Sequence, residues 1–419
     1  MAYDPTEWTT RSSPYQAWFG VAWSPQLQLF AAVAFDGVNR VMTSPNGITW
    51  TSRSTPNTNV FRDVVWSQEL EIFVAVSSTG TNQVITSPDG VNWTERPTPS
   101  RSWRSVAWSP SLGLFAATSN NGSGTRVMTS PDGETWTIRS SAANKAWVGI
   151  EWSESLGIFA AVSQTTSTSS VMTSSDGVTW VSQTTPSAGY RDITWSASLG
   201  LFVAVGSDQV VTSSNGTTWT GYSAPSSGLT WGAVTWSEYV GYFAALSTTD
   251  STSGVMTSAD GVNWTQHSCS ATQWRSICDA PNIFVGVGSS STGQPLVITS
   301  GEYAYEGAYW GGLLSIMPPS APDTPTLVLW NVLNSDITIT LEAPSGSTPT
   351  RYECEYGNST GVYTSGVVQS NIPNDVENPI VFSVTYEFDF QWVYFRIRAV
   401  NALGTSDWSI ERSGFNAAD

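Results

Sequence analysis

Short apolar runs alternate with polar turns along the first three-quarters of the chain, and the alternation itself repeats. One unit reads as four strand patterns, Trp103 to Trp108, Leu114 to Thr118, Arg126 to Ser130 and Thr135 to Arg139. Turns are marked by Ser-Pro-Asp-Gly at 87–90 and 130–133, where the glycine supplies the positive φ of a tight hairpin. A Trp followed by Ser recurs at Trp23, Trp66, Trp108, Trp152, Trp195 and Trp236, at spacings of 43, 42, 44, 43 and 41 residues. A second Trp recurs at Trp50, Trp93, Trp136, Trp180, Trp219 and Trp264. Four strands in about 40 to 45 residues is the period of a β-propeller blade, and strands this short exclude helical repeats.

The number of blades follows from the ends of the pattern. A seventh unit starts at Trp274-Arg275-Ser276-Ile277-Cys278, aligned with Trp103 to Ala107, and stops at Ser300 without an outer strand. The missing strand is predicted at the other end, because Asp4 to Thr9 matches Asp89 to Thr94 in its Asp, Trp and Thr. An N-terminal strand that completes the last blade leaves no open sheet edge. The expected fold class is all-β: a seven-bladed β-propeller over residues 1–305, closed by the N-terminal strand, plus a C-terminal β-sandwich.

The period ends after residue 300. Residues 306–318 read as an apolar linker, with Tyr309, Trp310, Leu313, Leu314, Ile316 and Met317 too apolar for a solvated tether. It packs between the two domains or against another subunit, so a homo-oligomer stays open. Residues 319–419 carry Ile337 to Thr340, Arg351 to Tyr356, Tyr394 to Asn401, Gly404 and Trp408-Ser409. These segments resemble a fibronectin type III domain, which implies a sandwich used as a spacer or protein-binding unit. The turn written Ser87, Asp89, Gly90, Trp93 resembles the Asp-box of sialidase-like propellers, which implies a structural turn remote from catalysis.

Composition narrows the chemistry. The chain has 22 Trp but one histidine, His267, one lysine, Lys145, and three cysteines. A net charge of −17 argues against a nucleic-acid partner, because no surplus of cations is left to neutralise phosphates. One imidazole removes Ser-His and Cys-His catalysis and His-rich zinc sites, so no catalytic residue, metal or cofactor is expected. Cys269, Cys278 and Cys354 match no metal spacing and read as free thiols. No apolar run reaches the ~18 to 20 residues of a membrane span, and the N-terminus lacks the basic and apolar regions of a signal peptide.

Two repeated positions are candidates for binding. Trp18, Trp103, Trp147, Trp231 and Trp274, with Phe61 and Tyr190, each lie five residues before the position of the Trp-Ser pair. They form either packing under the rim of the ring or an aromatic platform for a ligand. Arg62, Arg104, Arg191 and Arg275 each follow such an aromatic directly. The first strand of a propeller blade lines the channel, so these guanidiniums converge on an anionic ligand or a partner carboxylate, or else pair locally with Asp63 and Asp192. A sialidase-like site would need to draft Tyr190 with Glu151 or Asp279, and no motif supports that choice.

The missing signal peptide and the Ser/Thr/Gly-rich, almost lysine-free body conflict for a secreted protein, but not for a virion protein made in the host cytoplasm and released by lysis. The architecture resembles bacteriophage tail, fibre or head-decoration proteins. That resemblance implies a non-enzymatic structural and adhesion protein located in the virion, with other virion proteins as partners and a host-surface glycan or protein as receptor, without membrane insertion. The alternatives are a glycan-binding lectin or sialidase-like glycosidase, and an intracellular protein-interaction scaffold.

Overall fold

The computed structural model describes residues 7–249, 251–281, 283–289 and 296–300 in full, and beyond them the backbone of strands between 312 and 416. The chain divides into two units, Met1–Tyr303 and Ala304–Asp419.

The first unit is a ring of seven antiparallel four-stranded sheets. In the first blade the strands Trp18–Ser24, Leu29–Ala34, Val41–Ser44 and Thr51–Arg53 pair in that order. The first strands of successive blades lie against one another, and Gln273–Ala280 of the seventh blade returns to Trp18–Ser24. Second strands are covered on both faces by neighbouring blades. Leu29–Ala34 accordingly reads as a continuous apolar run, buried from Phe30 onward.

Packing between blades uses the repeated aromatics as wedges. Trp23 stands 4.3 Å from Phe30, and Phe30 6.2 Å from Trp50, in an arrangement repeated in the next five blades. The cluster of the first blade takes in Ile283, Val285 and Val287 of the seventh. That of the second blade takes in Ala31, Val33 and Val41 of the first. Each blade therefore completes the core of its predecessor, and none buries its apolar face alone.

The ring closes where the repeat predicts. Trp8–Arg11 is the outermost strand of the last blade, antiparallel to Val297–Ser300, with Trp8 opposite Ser300 and Arg11 opposite Val297. Arg11 Nε donates to Thr299 Oγ1 at 2.9 Å, as Arg53 does to Thr43, Arg96 to Thr86 and Arg139 to Thr129. The single histidine occupies this same outer-strand position, with His267 Nε2 2.7 Å from Thr257 Oγ1. Its role is thus the strand-to-strand bond that arginine supplies elsewhere.

The Ser-x-Asp-Gly turns are locked from within. Asp89 Oδ1 accepts the amides of Val91 at 2.8 Å and Asn92 at 2.7 Å, while Ser87 Oγ accepts the amide of Gly90 at 2.8 Å. Gly90 has φ of 70°, a conformation that strains any side chain, and Trp93 Nε1 donates to its carbonyl at 3.0 Å. Against the partial burial that would raise it, hydrogen bonds from Asn92, Val91 and Ser87 hold the Asp89 carboxyl down at about 2.

In the second unit Gly312–Leu313, Thr326–Leu333, Asp336–Glu342 and Ile380–Ser383 form one sheet, and Val368–Asn371, Arg351–Gly357, Gln391–Asn401 and Gly404–Thr405 another. Arg412–Asn416 also pairs with Gln391–Asn401. The packing of a sandwich, its likeness to fibronectin type III domains, the side chain of Cys354 and the linker at 306–318, apart from the strand Gly312–Leu313 within it, lie outside the described residues. Cys269 and Cys278 are free thiols, and no helix among the described residues is long and apolar enough to cross a membrane.

Deleting residues 1–11 removes Trp8 from its stack on Phe284 and leaves Val297–Ser300 as an unpaired edge. The expected result is a fall in Tm on the order of 10 °C, together with self-association, read by calorimetry and size-exclusion chromatography. An unchanged Tm and a single monomeric peak would contradict the closure.

Candidate functional site

The site is built by one irregularity repeated seven times. In the first strand of every blade the register slips by one residue: Trp18 pairs with Ala34 and Gly20 with Val33, so Phe19 is an extra residue. The same bulge falls at Arg62, Arg104, Val148, Arg191, Gly232 and Arg275. A bulge re-aims the side chain it carries. Here all seven bulge residues line one pocket of about 100 Å³ at the mouth of the ring, joined by Gln164 and Thr248.

The bulge also explains a correction. Trp18, Trp103, Trp147, Trp231 and Trp274, candidates for a ligand platform, are 0% exposed and belong to the core. Their neighbours are turned to the mouth in their place. The indoles of Trp18, Trp103 and Trp147 donate to the carbonyls of Pro14, Pro99 and Ala143, each four residues earlier, at 2.9, 2.9 and 3.0 Å. Tyr190 does the same with its hydroxyl to Pro186 at 3.1 Å. These four aromatics pin the incoming connections of their blades.

Local pairing of the arginines with Asp63 and Asp192 does not occur. Asp63 Oδ2 accepts Ser105 Oγ at 2.8 Å and the Val106 amide at 3.0 Å, and Asp192 Oδ2 accepts the Val234 amide at 2.9 Å. Both carboxyls thus bridge to the next blade. Arg62 and Arg275 are held otherwise. Arg62 Nε donates to Ser78 Oγ at 3.0 Å, and its Cζ lies 4.8 Å from the ring centres of both Phe19 and Phe35. Arg275 Nε donates to Ser289 Oγ at 3.0 Å, with Cζ 4.9 Å from Phe19. Arg104 and Arg191 make no hydrogen bond or ion pair with a described residue. Burial, then the charges of Arg104 and Arg275, lower Arg62 to about 10. The neighbouring charges that it feels are arginines.

Deeper in the channel lie Asp63, Glu151, Asp192 and Asp279, each partly accessible yet surrounded by protein. Burial raises Glu151 to about 8, with the charges of Asp192, Asp63 and Asp279 adding to the effect. Burial likewise raises Asp192 and Asp279 to about 7 and Asp63 to about 6, against the hydrogen bonds they accept. Near neutral pH these acids are partly protonated, which weakens their competition for the guanidiniums. No group of three His, Cys, Asp or Glu among the described residues could hold a metal ion.

Two parts of this site escape the sequence reading. Phe19, Val148 and Gly232 share the register of the arginines but not their chemistry. Phe35, Ser78, Gln164 and Thr248 directly follow a second strand and Ser289 ends one, a shared position filled by one aromatic and four uncharged polar residues. The signal for both was the strand register, which becomes visible only once the bulge is known.

No family model and no curated protein matches this chain. Solved structures do. A streptogramin B lyase is 12% identical with a TM-score of 0.58, covering 70% of this chain and 96% of its own. The virginiamycin B lyase from Staphylococcus aureus is 10% identical with a TM-score of 0.58, covering 70% and 97%. A β-propeller domain from Myceliophteria thermophila is 12% identical with a TM-score of 0.53, covering 70% and 99%. These likenesses establish the propeller fold alone. They also correct one expectation. The chain is expected from its sequence to be no enzyme, yet two of these rings are lyases, so the architecture does not exclude catalysis.

Two predictions follow from the channel and its rim. The acids have folded pKa values above their unfolded ones, so the stability tied to their protonated forms is complete below about pH 4. It is lost as pH rises through about 6 to 8. Thermal melts are expected to show a lower Tm at pH 8 than at pH 5. Glu151→Gln, which keeps the acceptor for the Trp152 amide, should shrink that difference by raising Tm at pH 8. A difference unchanged by the substitution would contradict the assignment. Separately, Trp103→Ala should cost about 3 to 5 kcal/mol of stability in denaturant titrations, as a core truncation does; a loss below about 1 kcal/mol would return this residue to the surface.

Proposed function

We propose that this chain is a structural and adhesion protein of a bacteriophage virion, one domain docking on the particle and the other displayed for binding to a host-surface glycan or protein. The observation that carries it is that one face of a regular ring has nearly uniform turns while the opposite face carries longer and less uniform loops. On the face away from the mouth, the turns at 25–28, 68–71, 110–113, 154–157, 197–200 and 238–241 all have four residues, and two residues, 281–282, separate the corresponding strands of the seventh blade. On the mouth face, the loops after the second strands run from two residues, 207–208, to seven, 120–126. A rigid ring with variable loops on one side is how propellers present binding surfaces.

The arginine mouth adds a charged recognition point at the centre of that face. Composition supports the virion setting: a single lysine, a net charge of −17 and a surface rich in Ser and Thr suit a particle protein made in the host cytoplasm. Its partners on this reading are other virion proteins and the host receptor, with no nucleic acid. The arginine mouth also favours a second reading, a glycan-binding lectin that acts apart from any particle.

Mass spectrometry of particles purified after lysis is expected to contain this chain, and the purified chain is expected to compete with particles for adsorption to host cells. Absence of the chain from particles would overturn the virion reading, and a positive glycan array would then favour the lectin.

A further inference from the structure

The seven positions of the mouth fall into two halves. Around Phe19 stand Arg62 and Arg275, each with Nε committed to a serine hydroxyl and the guanidinium laid on an aromatic face. Around Val148 stand Arg104 and Arg191, with no partner among the described residues. Gln164, from the same blade as Val148, lines the pocket beside them.

We propose that the mouth is a binding site for a compact oxyanion carrying two negative charges, of the phosphate or sulfate class, gripped by Arg104 and Arg191 over Val148. The inference rests on the adhesion reading only for the source of the anion, which would there be an end group of a host-surface polymer.

A guanidinium is a planar fork that binds two oxygens of one anion at once, and two unpartnered forks flanking one position suit a group with several equivalent oxygens. Charge sets the valence: four cations within mutual influence, with no carboxylate among the described residues paired to any of them, are balanced better by a dianion than by a single carboxylate. Size sets the extent. A pocket of about 100 Å³ is well below the ~300 Å³ at which sites for whole small-molecule ligands begin, so it takes a small group or the tip of a larger one. The held half supplies a fixed field, because Phe19, Ser78 and Ser289 hold the other two cations, Arg62 and Arg275, in place beside the pocket. Gln164 offers an uncharged amide donor for a remaining oxygen without adding a competing negative charge, while the Thr248 hydroxyl beside it donates to the Thr230 carbonyl at 3.2 Å.

The test is calorimetric titration of the full chain with inorganic phosphate, sulfate, a hexose phosphomonoester, acetate and glucuronate. Phosphate and sulfate are expected to compete for one site per chain and to bind at least about tenfold tighter than acetate or glucuronate, more weakly as salt rises from about 0.05 M to about 0.5 M. Arg104→Gln with Arg191→Gln is expected to weaken phosphate at least about tenfold while leaving the Tm within a few degrees. If that double variant does not fold, the one-site competition on the unsubstituted chain decides. A phosphomonoester tighter than free phosphate identifies an end group as the source, and the reverse identifies the free ion. No saturable binding, equal binding of the monoanions, or an unaffected double variant would overturn the site. Particles that contain a chain indifferent to phosphate remove this site alone; a chain that binds phosphate but is missing from particles removes the virion reading alone.

Discussion

One extra residue near the start of each innermost strand governs the rest of this propeller. A strand sends successive side chains to opposite faces, so without the slip each aromatic and its successor would keep strict alternation along the blade. The bulge lets the aromatic stay in the core, where five Trp, one Phe and one Tyr are fully buried. It also turns the next residue out of the core and toward the mouth. The positions that the fold leaves free are thus brought to one point on the axis. There the chain places Phe, Arg, Arg, Val, Arg, Gly and Arg, a set that no packing requirement would select.

Below the mouth the same strands approach one another so closely that side chains become costly. A Cβ on Gly20 would lie 2.7 Å from the Asp63 Cα, and one on Gly149 3.0 Å from the Asp192 Cα. The two aspartates that stand opposite these glycines reach across to the following blade. The channel therefore carries carboxyls for structural reasons, as acceptors for amides that would otherwise be left unsatisfied in a crowded interior. Their raised pKa values follow from that placement. A perturbed carboxyl in this ring is first a sign of enclosure, and only with a substrate in reach a sign of chemistry.

Much of the fold was legible in the sequence because its signals are local and repeated. The Trp-Ser and Asp-Gly positions set the blade period, and the match of Asp4–Thr9 to Asp89–Thr94 located the closing strand. The candidate site was legible only in part. Arg62, Arg104, Arg191 and Arg275 were identified as one ring because they share a register. The tryptophans beside them were not separable from a ligand platform, since a one-residue slip exchanges the side that points inward, and sequence spacing does not reveal the slip. The acidic channel was hidden for another reason: Asp63 and Asp192 share one register, but Glu151 and Asp279 occupy others, so only the closed ring brings them together.

The seam of the ring bears on how the chain is made. Arg11 and Thr299 are hydrogen-bonded partners 288 residues apart. At about 5 to 20 residues per second, the first strand leaves the ribosome roughly 15 s to a minute before its partner exists. Six blades can stack in order of synthesis, but the seventh must wait for the last strands to emerge and then recapture a segment made at the start. That long loop closure makes the final step slow compared with pairing inside a blade. The waiting strand is well suited to the delay: Thr9 and Thr10 are solvent-facing and Arg11 is polar, so a solitary copy has little apolar edge with which to pair wrongly.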